Sequence, residues 1–166
     1  MHKILFVILL VGLGQFSNAD DSSKAHKHGT ANMSIALEGK QGKIVIRAPS
    51  SMVYGFETEA HSGKDRKLKD QGLLKLEEKI SDAVVFKPEL NCEIKKDMFQ
   101  VNQEDKHADV EAEFRVTCQS GAAGSTIQMN PRKVFSRFKS LNVEISGDGV
   151  QKSVEVLKDG EAIELQ

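Results

Sequence analysis

The sequence predicts a mainly β fold: a single domain with an antiparallel, sandwich-like sheet and one amphipathic helix. Several short segments alternate apolar and polar residues with a period of two, which is typical of half-buried strands. Only residues 62–81 carry apolar side chains at helical spacing along a charged stretch. With 166 residues, 39% of them hydrophobic, the chain has enough apolar material for one core.

The first predicted strands form a hairpin. Residues 31–37 alternate apolar and polar side chains up to a turn at 39–42, and residues 43–47 have the pattern of the partner strand. Pro49 then interrupts the ladder, because proline lacks the backbone donor that a ladder needs. Residues 52–56 are predicted to be extended again.

The middle of the chain predicts a helix over residues 62–81. Leu73, Leu76 and Ile80 lie on one helical face, at spacings of three and four residues. Gly72 lies within this segment and costs about 1 kcal/mol in a helix interior. It could therefore divide the segment into two shorter helices.

After Pro88 the β pattern returns. Residues 92–101 and 110–118 are predicted to be long strands joined by a polar stretch at 102–109. A short helix is predicted at about 131–139, and Gly147-Asp148-Gly149 has the composition of a hairpin turn. The remaining predicted strands are residues 126–129, 141–145, 150–157 and 162–165.

The first 19 residues have the pattern of a secretory signal peptide. A basic start precedes an apolar run at residues 4–13, and small residues precede a cleavage site at Ala19. The run is shorter than the roughly 20 residues of a membrane-spanning helix, so no membrane association is expected after cleavage. We expect a polar, mobile leader at 20–27 and one β-rich domain at 28–166.

Cys92 and Cys118 are predicted to form a disulfide, because an exported chain enters an oxidising compartment. In the chain-entropy model, closing this loop stabilises the fold by roughly 3–4 kcal/mol. The alternative is a thiolate metal site, which is less consistent with the sequence because no CxxC spacing occurs.

Composition excludes several functions. A net charge of -1 does not suit a nucleic-acid partner, since phosphate binding needs concentrated lysine and arginine. The chain has no HExxH, GxSxG, P-loop or glycine-rich dinucleotide motif, so we expect no enzyme.

Histidines and carboxylates provide the candidate metal ligands. His26 and His28 are two residues apart, so in an extended chain their side chains point the same way, about 6.6–6.8 Å apart. Zinc takes four ligands in most protein sites, so this motif supplies half a site. The same spacing also fits two solvated histidines in a leader.

A second candidate lies in the polar stretch between the two long strands. His107 and Asp109 occur there among further carboxylates, and imidazole with hard oxygen ligands suits zinc better than copper(I). An ordinary acidic hairpin loop has the same composition. His61, beside Glu57 and Glu59, is a third candidate.

Ordered blocks along the whole mature chain resemble one family, the ZrgA-like periplasmic proteins of Gram-negative bacteria. The first blocks are His26-Lys27-His28-Gly29-Thr30-Ala31, Ile35-Ala36-Leu37-Glu38-Gly39, Ala48-Pro49 and Val53-Tyr54-Gly55-Phe56-Glu57. The later ones are Phe86-x-Pro88-x-x-x-Cys92, His107-Ala108-Asp109 leading through Phe114 to Cys118, and Phe135-x-x-Phe138 before Leu141.

The resemblance implies a periplasmic zinc-binding protein that is accessory to a high-affinity zinc importer and passes Zn²⁺ to a periplasmic uptake component. It implies that His26 and His28 are the first candidate ligands, followed by His107 and Asp109, with Glu57 as an oxygen donor. The alternative is an envelope β domain that binds a partner protein and no metal. A zinc hydrolase is a third possibility that sequence alone does not reveal.

The chain departs from this family at two places. Family members commonly carry a long His- and Asp-rich insertion between the cysteines, where this chain has only residues 104–109. They also tend to have a histidine directly after Gly-Phe-Glu, where this chain has Thr58. His61 could substitute for that imidazole.

Overall fold

The structure is a computed structural model that describes residues 29–166. The predicted signal peptide and leader lie outside the described residues, and so does His28 at the predicted start of the β-rich domain. His26 and His28 are therefore not described. The elements follow in the order β1 (Thr30–Glu38), β2 (Gln41–Pro49), α1 (Ser50–Val53), α2 (Gly63–Ala83), β3 (Val84–Phe86), β4 (Glu93–Glu104), β5 (His107–Thr117), β6 (Thr126–Met129), β7 (Ser140–Gly147), β8 (Val150–Val156) and β9 (Glu161–Glu164). Single turns of 3-10 helix occur at Pro88–Leu90 and Pro131–Lys133.

The strands form two sheets, and the mainly β prediction is confirmed. The larger sheet has the strand order β4-β5-β2-β1-β7-β8, and the smaller sheet has the order β3-β6-β9. All pairs are antiparallel except β1 with β7, which run parallel. β1 and β2 are therefore central strands with a neighbour on each side.

One hydrophobic core lies between the two sheets and α2. Ile35, Ile44 and Phe114 of the larger sheet are fully buried in one cluster with Ile127 of the smaller sheet and Leu76 of α2. The alternation read from the sequence is visible in β5, where Ala108, Val110, Ala112, Phe114 and Val116 are buried and the residues between them are partly or fully exposed.

The helix α2 is continuous from Gly63 to Ala83, so Gly72 does not divide it. The Ser62 hydroxyl accepts a hydrogen bond from the Asp65 amide, and the Asp65 carboxylate accepts one from the Ser62 amide, which forms a capping box. Gly72 is required for packing, because a Cβ there would lie 2.5 Å from the Cβ of Tyr54.

Three local predictions differ from the structure. Residues 52–56 are not extended, because Pro49 is followed by the short helix α1 and a turn. The polar stretch 102–109 is mostly strand, since β4 and β5 continue to a two-residue turn at Asp105 and Lys106. The short helix predicted at 131–139 is realised only as the 3-10 turn Pro131–Lys133.

The predicted disulfide is confirmed. Cys92 and Cys118 are bonded, and their Cα atoms are 3.9 Å apart. The bond joins the start of β4 to the end of β5, at the opposite end of this strand pair from the Asp105-Lys106 turn. Between residues 29 and 166, no helix has the length and apolar character needed to cross a bilayer.

Candidate metal centre

The turn between β4 and β5 positions the first candidate ligands. Asp105 adopts a positive φ of 50°, which closes the turn and sets His107 opposite Glu104. Successive strand residues point to opposite faces, and Ala108 is buried. His107 and Asp109 therefore point to the face opposite Ala108.

A compact turn brings Glu57 to this hairpin. Ser50 donates a hydrogen bond from its hydroxyl to the carbonyl of Phe56 (2.7 Å), and Ser51 donates one to Oε1 of Glu57 (2.7 Å). The other carboxylate oxygen, Oε2, lies 2.8 Å from Nδ1 of His107. Two predicted site residues that are 50 positions apart in the sequence therefore meet.

Gln103 fixes the backbone around this contact. Its side-chain amide donates hydrogen bonds to the carbonyl oxygens of Glu57 (3.0 Å), Asp105 (3.1 Å) and His107 (2.9 Å). An amide group has two hydrogens, so the three acceptors share them. Sequence reasoning missed both Gln103 and Ser51, because neither belongs to a motif or to a class of metal ligand.

The pKa of Tyr54 is affected by carboxylates near the site. Burial raises the pKa of its phenol, and the negative charges of Glu57 and Asp109 raise this pKa further against the opposing effect of a hydrogen bond with Ser50. Both carboxylates therefore act on one side chain. Neither cross-strand neighbour of Asp109, Pro49 in β2 or Asn102 in β4, carries a charge.

The side chains of Glu57 and His107, which contact each other, differ in solvent exposure. The side chain of Glu57 is 12% exposed, whereas that of His107 is 64% exposed. The carboxylate is therefore shielded by protein, while the imidazole can be reached from solvent.

The described residues do not complete a metal site. Within 29–166, no group of three or more histidine, cysteine, aspartate or glutamate side chains is arranged to hold a metal ion. His61 lies on the exposed loop before α2, where its carbonyl accepts a hydrogen bond from Arg66 (3.0 Å). Its described neighbours thus belong to the start of the helix.

The described chain begins at the same end of the sheet as His107. Asn32 of β1 pairs with Arg47 of β2, and Arg47 pairs with Glu111 of β5, so Asn32 and Glu111 are two strand spacings apart, about 10 Å. Gly29 and His107 lie three and four residues further toward this end. Gly29 has a φ of 88°, and its carbonyl accepts hydrogen bonds from the amides of Lys139 and Ser140.

A sandwich-like β domain with a histidine–carboxylate contact at one sheet end defines a class of candidate metal-binding domains. Residues 25–165 match the model of the ZrgA family zinc uptake protein. The chain therefore belongs to the ZrgA family of zinc uptake proteins, which confirms the resemblance and assigns the chain a role in zinc uptake. A search among curated proteins finds no match.

Proposed function

We propose that this protein binds Zn²⁺ in the periplasm and hands it to another component of zinc uptake. The ion would be held between His107 and Asp109 on the β4–β5 hairpin and His26 and His28, which directly precede Gly29. The observation that carries the proposal is the exposed imidazole of His107, held by a shielded carboxylate at the sheet end where β1 begins.

The number of ligands that zinc needs supports a site formed by the β4–β5 hairpin together with His26 and His28. Zinc sites in proteins usually have four ligands, with His nitrogen at about 2.0–2.1 Å. The described residues alone do not provide three arranged ligands. The His26-Lys27-His28 motif directly precedes Gly29 and adds two imidazoles.

The strand order makes it sterically reasonable for His28 and His107 to bind the same ion. His28 is one residue before Gly29, and successive Cα atoms are about 3.8 Å apart. Two strand spacings, about 10 Å, separate β1 from β5. Two histidine side chains that approach one ion from opposite sides can cover this distance.

A site of this kind suits release as well as binding. Two of its ligands, His26 and His28, would come from the segment just before Gly29, and their departure would open the coordination sphere to a receiving protein. Imidazoles bind metal only in their neutral form, so we expect zinc affinity to fall as the pH is lowered. His61 is not needed for this site.

A competition titration with zinc tests the proposal. The mature protein would be purified without a His tag and compared with His107→Ala, with the double variant His26→Ala/His28→Ala, and with His61→Ala as the matched control. We expect one zinc per wild-type chain, affinity more than about tenfold lower in the first two variants, and unchanged affinity in the control.

Two outcomes would contradict this proposal. If the wild-type protein binds no zinc after loading, the protein is an envelope domain whose histidines hold no metal. Equal affinity in the wild type and in the His26→Ala/His28→Ala variant would show that neither histidine is a zinc ligand.

A further inference from the structure

The carboxylate of Glu57 lies between a serine and a histidine, and both of its oxygens accept hydrogen bonds within the protein. Oε1 accepts from the hydroxyl of Ser51 (2.7 Å), and Oε2 lies 2.8 Å from Nδ1 of His107. Ser51 is itself buried, with 8% exposure. The carboxylate is thus held from one side by a fixed donor and directed at the imidazole on the other.

The chemistry of the contact determines the position of the imidazole proton. An ionised carboxylate accepts hydrogen bonds and donates none. A separation of 2.8 Å is a hydrogen-bond distance, so Nδ1 of His107 carries the hydrogen when Glu57 is ionised. In the neutral ring, Nε2 then carries the lone pair that a metal ion needs.

We propose that Glu57 is a positioning residue for His107 and that it is not a zinc ligand. The hydrogen-bonded chain Ser51–Glu57–His107 selects the tautomer with its proton on Nδ1 and presents Nε2 to the ion. This inference deepens the proposed function and rests on it. It differs from the sequence-based expectation, in which Glu57 donates an oxygen directly to zinc.

General metal-site chemistry supports this assignment. A histidine that binds a metal usually donates its other ring hydrogen to a carboxylate, a carbonyl or water, and loss of that outer partner lowers metal affinity by about 10–100-fold. The contrast in exposure agrees, because the carboxylate is 12% exposed and the imidazole 64% exposed. Each oxygen of Glu57 keeps a further lone pair, so the shielding of the carboxylate, rather than its two hydrogen bonds, is what favours the outer position.

Two serines provide a matched pair of variants. Ser51→Ala removes the hydroxyl that holds Glu57, whereas Ser125→Ala removes a buried hydroxyl beside β6 of the smaller sheet that has no hydrogen-bond partner among the described residues. We expect zinc affinity to fall by about tenfold in Ser51→Ala and to stay within about twofold of wild type in Ser125→Ala. Equal affinities in the two variants would overturn the inference.

Nitrogen-15 NMR of His107 tests the same point without altering the fold. The resonances are assigned by comparison with His107→Ala. We expect the zinc-free protein at neutral pH to have its proton on Nδ1, and the zinc-loaded protein to keep that proton while Nε2 shifts on coordination. A proton on Nε2 before loading, or zinc on Nδ1, would contradict the positioning role.

These readouts separate the inference from the proposed function. Absence of zinc binding by the wild-type protein would refute the proposed function, while the zinc-free tautomer would still test the chain Ser51–Glu57–His107. Zinc binding through Nδ1 of His107 would support the proposed function and refute the positioning role of Glu57.

Discussion

Gln103 connects the two segments that carry the candidate site. Its side chain donates to carbonyl oxygens on the Glu57 segment and on the β4–β5 turn, so it holds Glu57 and His107 at hydrogen-bond distance. Each of these bonds is exposed and contributes little by itself. Their combined effect is to fix the relative position of two backbone segments.

Replacing Gln103 by alanine should weaken both zinc binding and the fold. We expect a loss of about 0.5–1.5 kcal/mol in the free energy of unfolding, the usual value of a hydrogen bond, and a zinc affinity several-fold lower. Denaturant unfolding and zinc competition measure the two effects. Gln100→Ala is the control, because the Gln100 side chain lies on the same strand and donates to Asn102. Equal effects of both variants on affinity would refute this role.

The sequence offers candidate metal ligands where residue chemistry or the family resemblance suggests them. His107, Asp109 and Glu57 are candidates from sequence, and the structure brings Glu57 into contact with His107. Ser51 and Gln103 were not predictable, because their roles depend on a contact between segments about 50 residues apart. The positioning role proposed for Glu57 was not predictable either, because only the structure shows that both of its carboxylate oxygens accept hydrogen bonds.

At the scale of elements, the close approach of two helices positions the Glu57 segment. α1 ends at Val53, Tyr54 follows it, and α2 passes directly over this point at Gly72. A Cβ on residue 72 would lie 2.7 Å from the carbonyl oxygen of Val53 and 2.5 Å from the Cβ of Tyr54. These distances are too short for ordinary contact, so the helix needs glycine there.

Gly72→Ala should therefore destabilise the protein, although alanine favours helix. The helix propensity gained is about 1 kcal/mol, whereas overpacking costs about 1–3 kcal/mol, so we expect a net loss of up to about 2 kcal/mol in the free energy of unfolding. Gly63→Ala is the control, since a Cβ there meets no atom within 4 Å. Denaturant unfolding would contradict this account if Gly72→Ala were as stable as Gly63→Ala.

Most elements were predictable because period-two alternation marks one buried face. The strands at residues 31–37 and 43–47 and the helix at 62–81 match β1, β2 and α2 closely. The short helix α1 and the parallel pairing of β1 with β7 were not predictable from the sequence, because both depend on tertiary packing. For example, the carbonyl of Met52 in α1 accepts hydrogen bonds from both the amide and the hydroxyl of Ser136.

At the scale of the whole molecule, the strand order places the start of the described chain near the hairpin that carries His107. β1 is central and β5 is its second neighbour, so residues far apart in sequence meet at one sheet end. The turn of this hairpin is short, since only Asp105 and Lys106 separate β4 from β5. This agrees with one shared ion rather than a large store of metal on a long insertion.

The most direct test of the shared site is a crystal structure of the zinc-loaded mature protein, with anomalous scattering recorded at the zinc edge. We predict one zinc peak per chain at this sheet end, coordinated by Nε2 of His107 and by at least one imidazole of the His26-Lys27-His28 motif. A zinc ion bound elsewhere, or one coordinated by His107 without His26 or His28, would contradict the account.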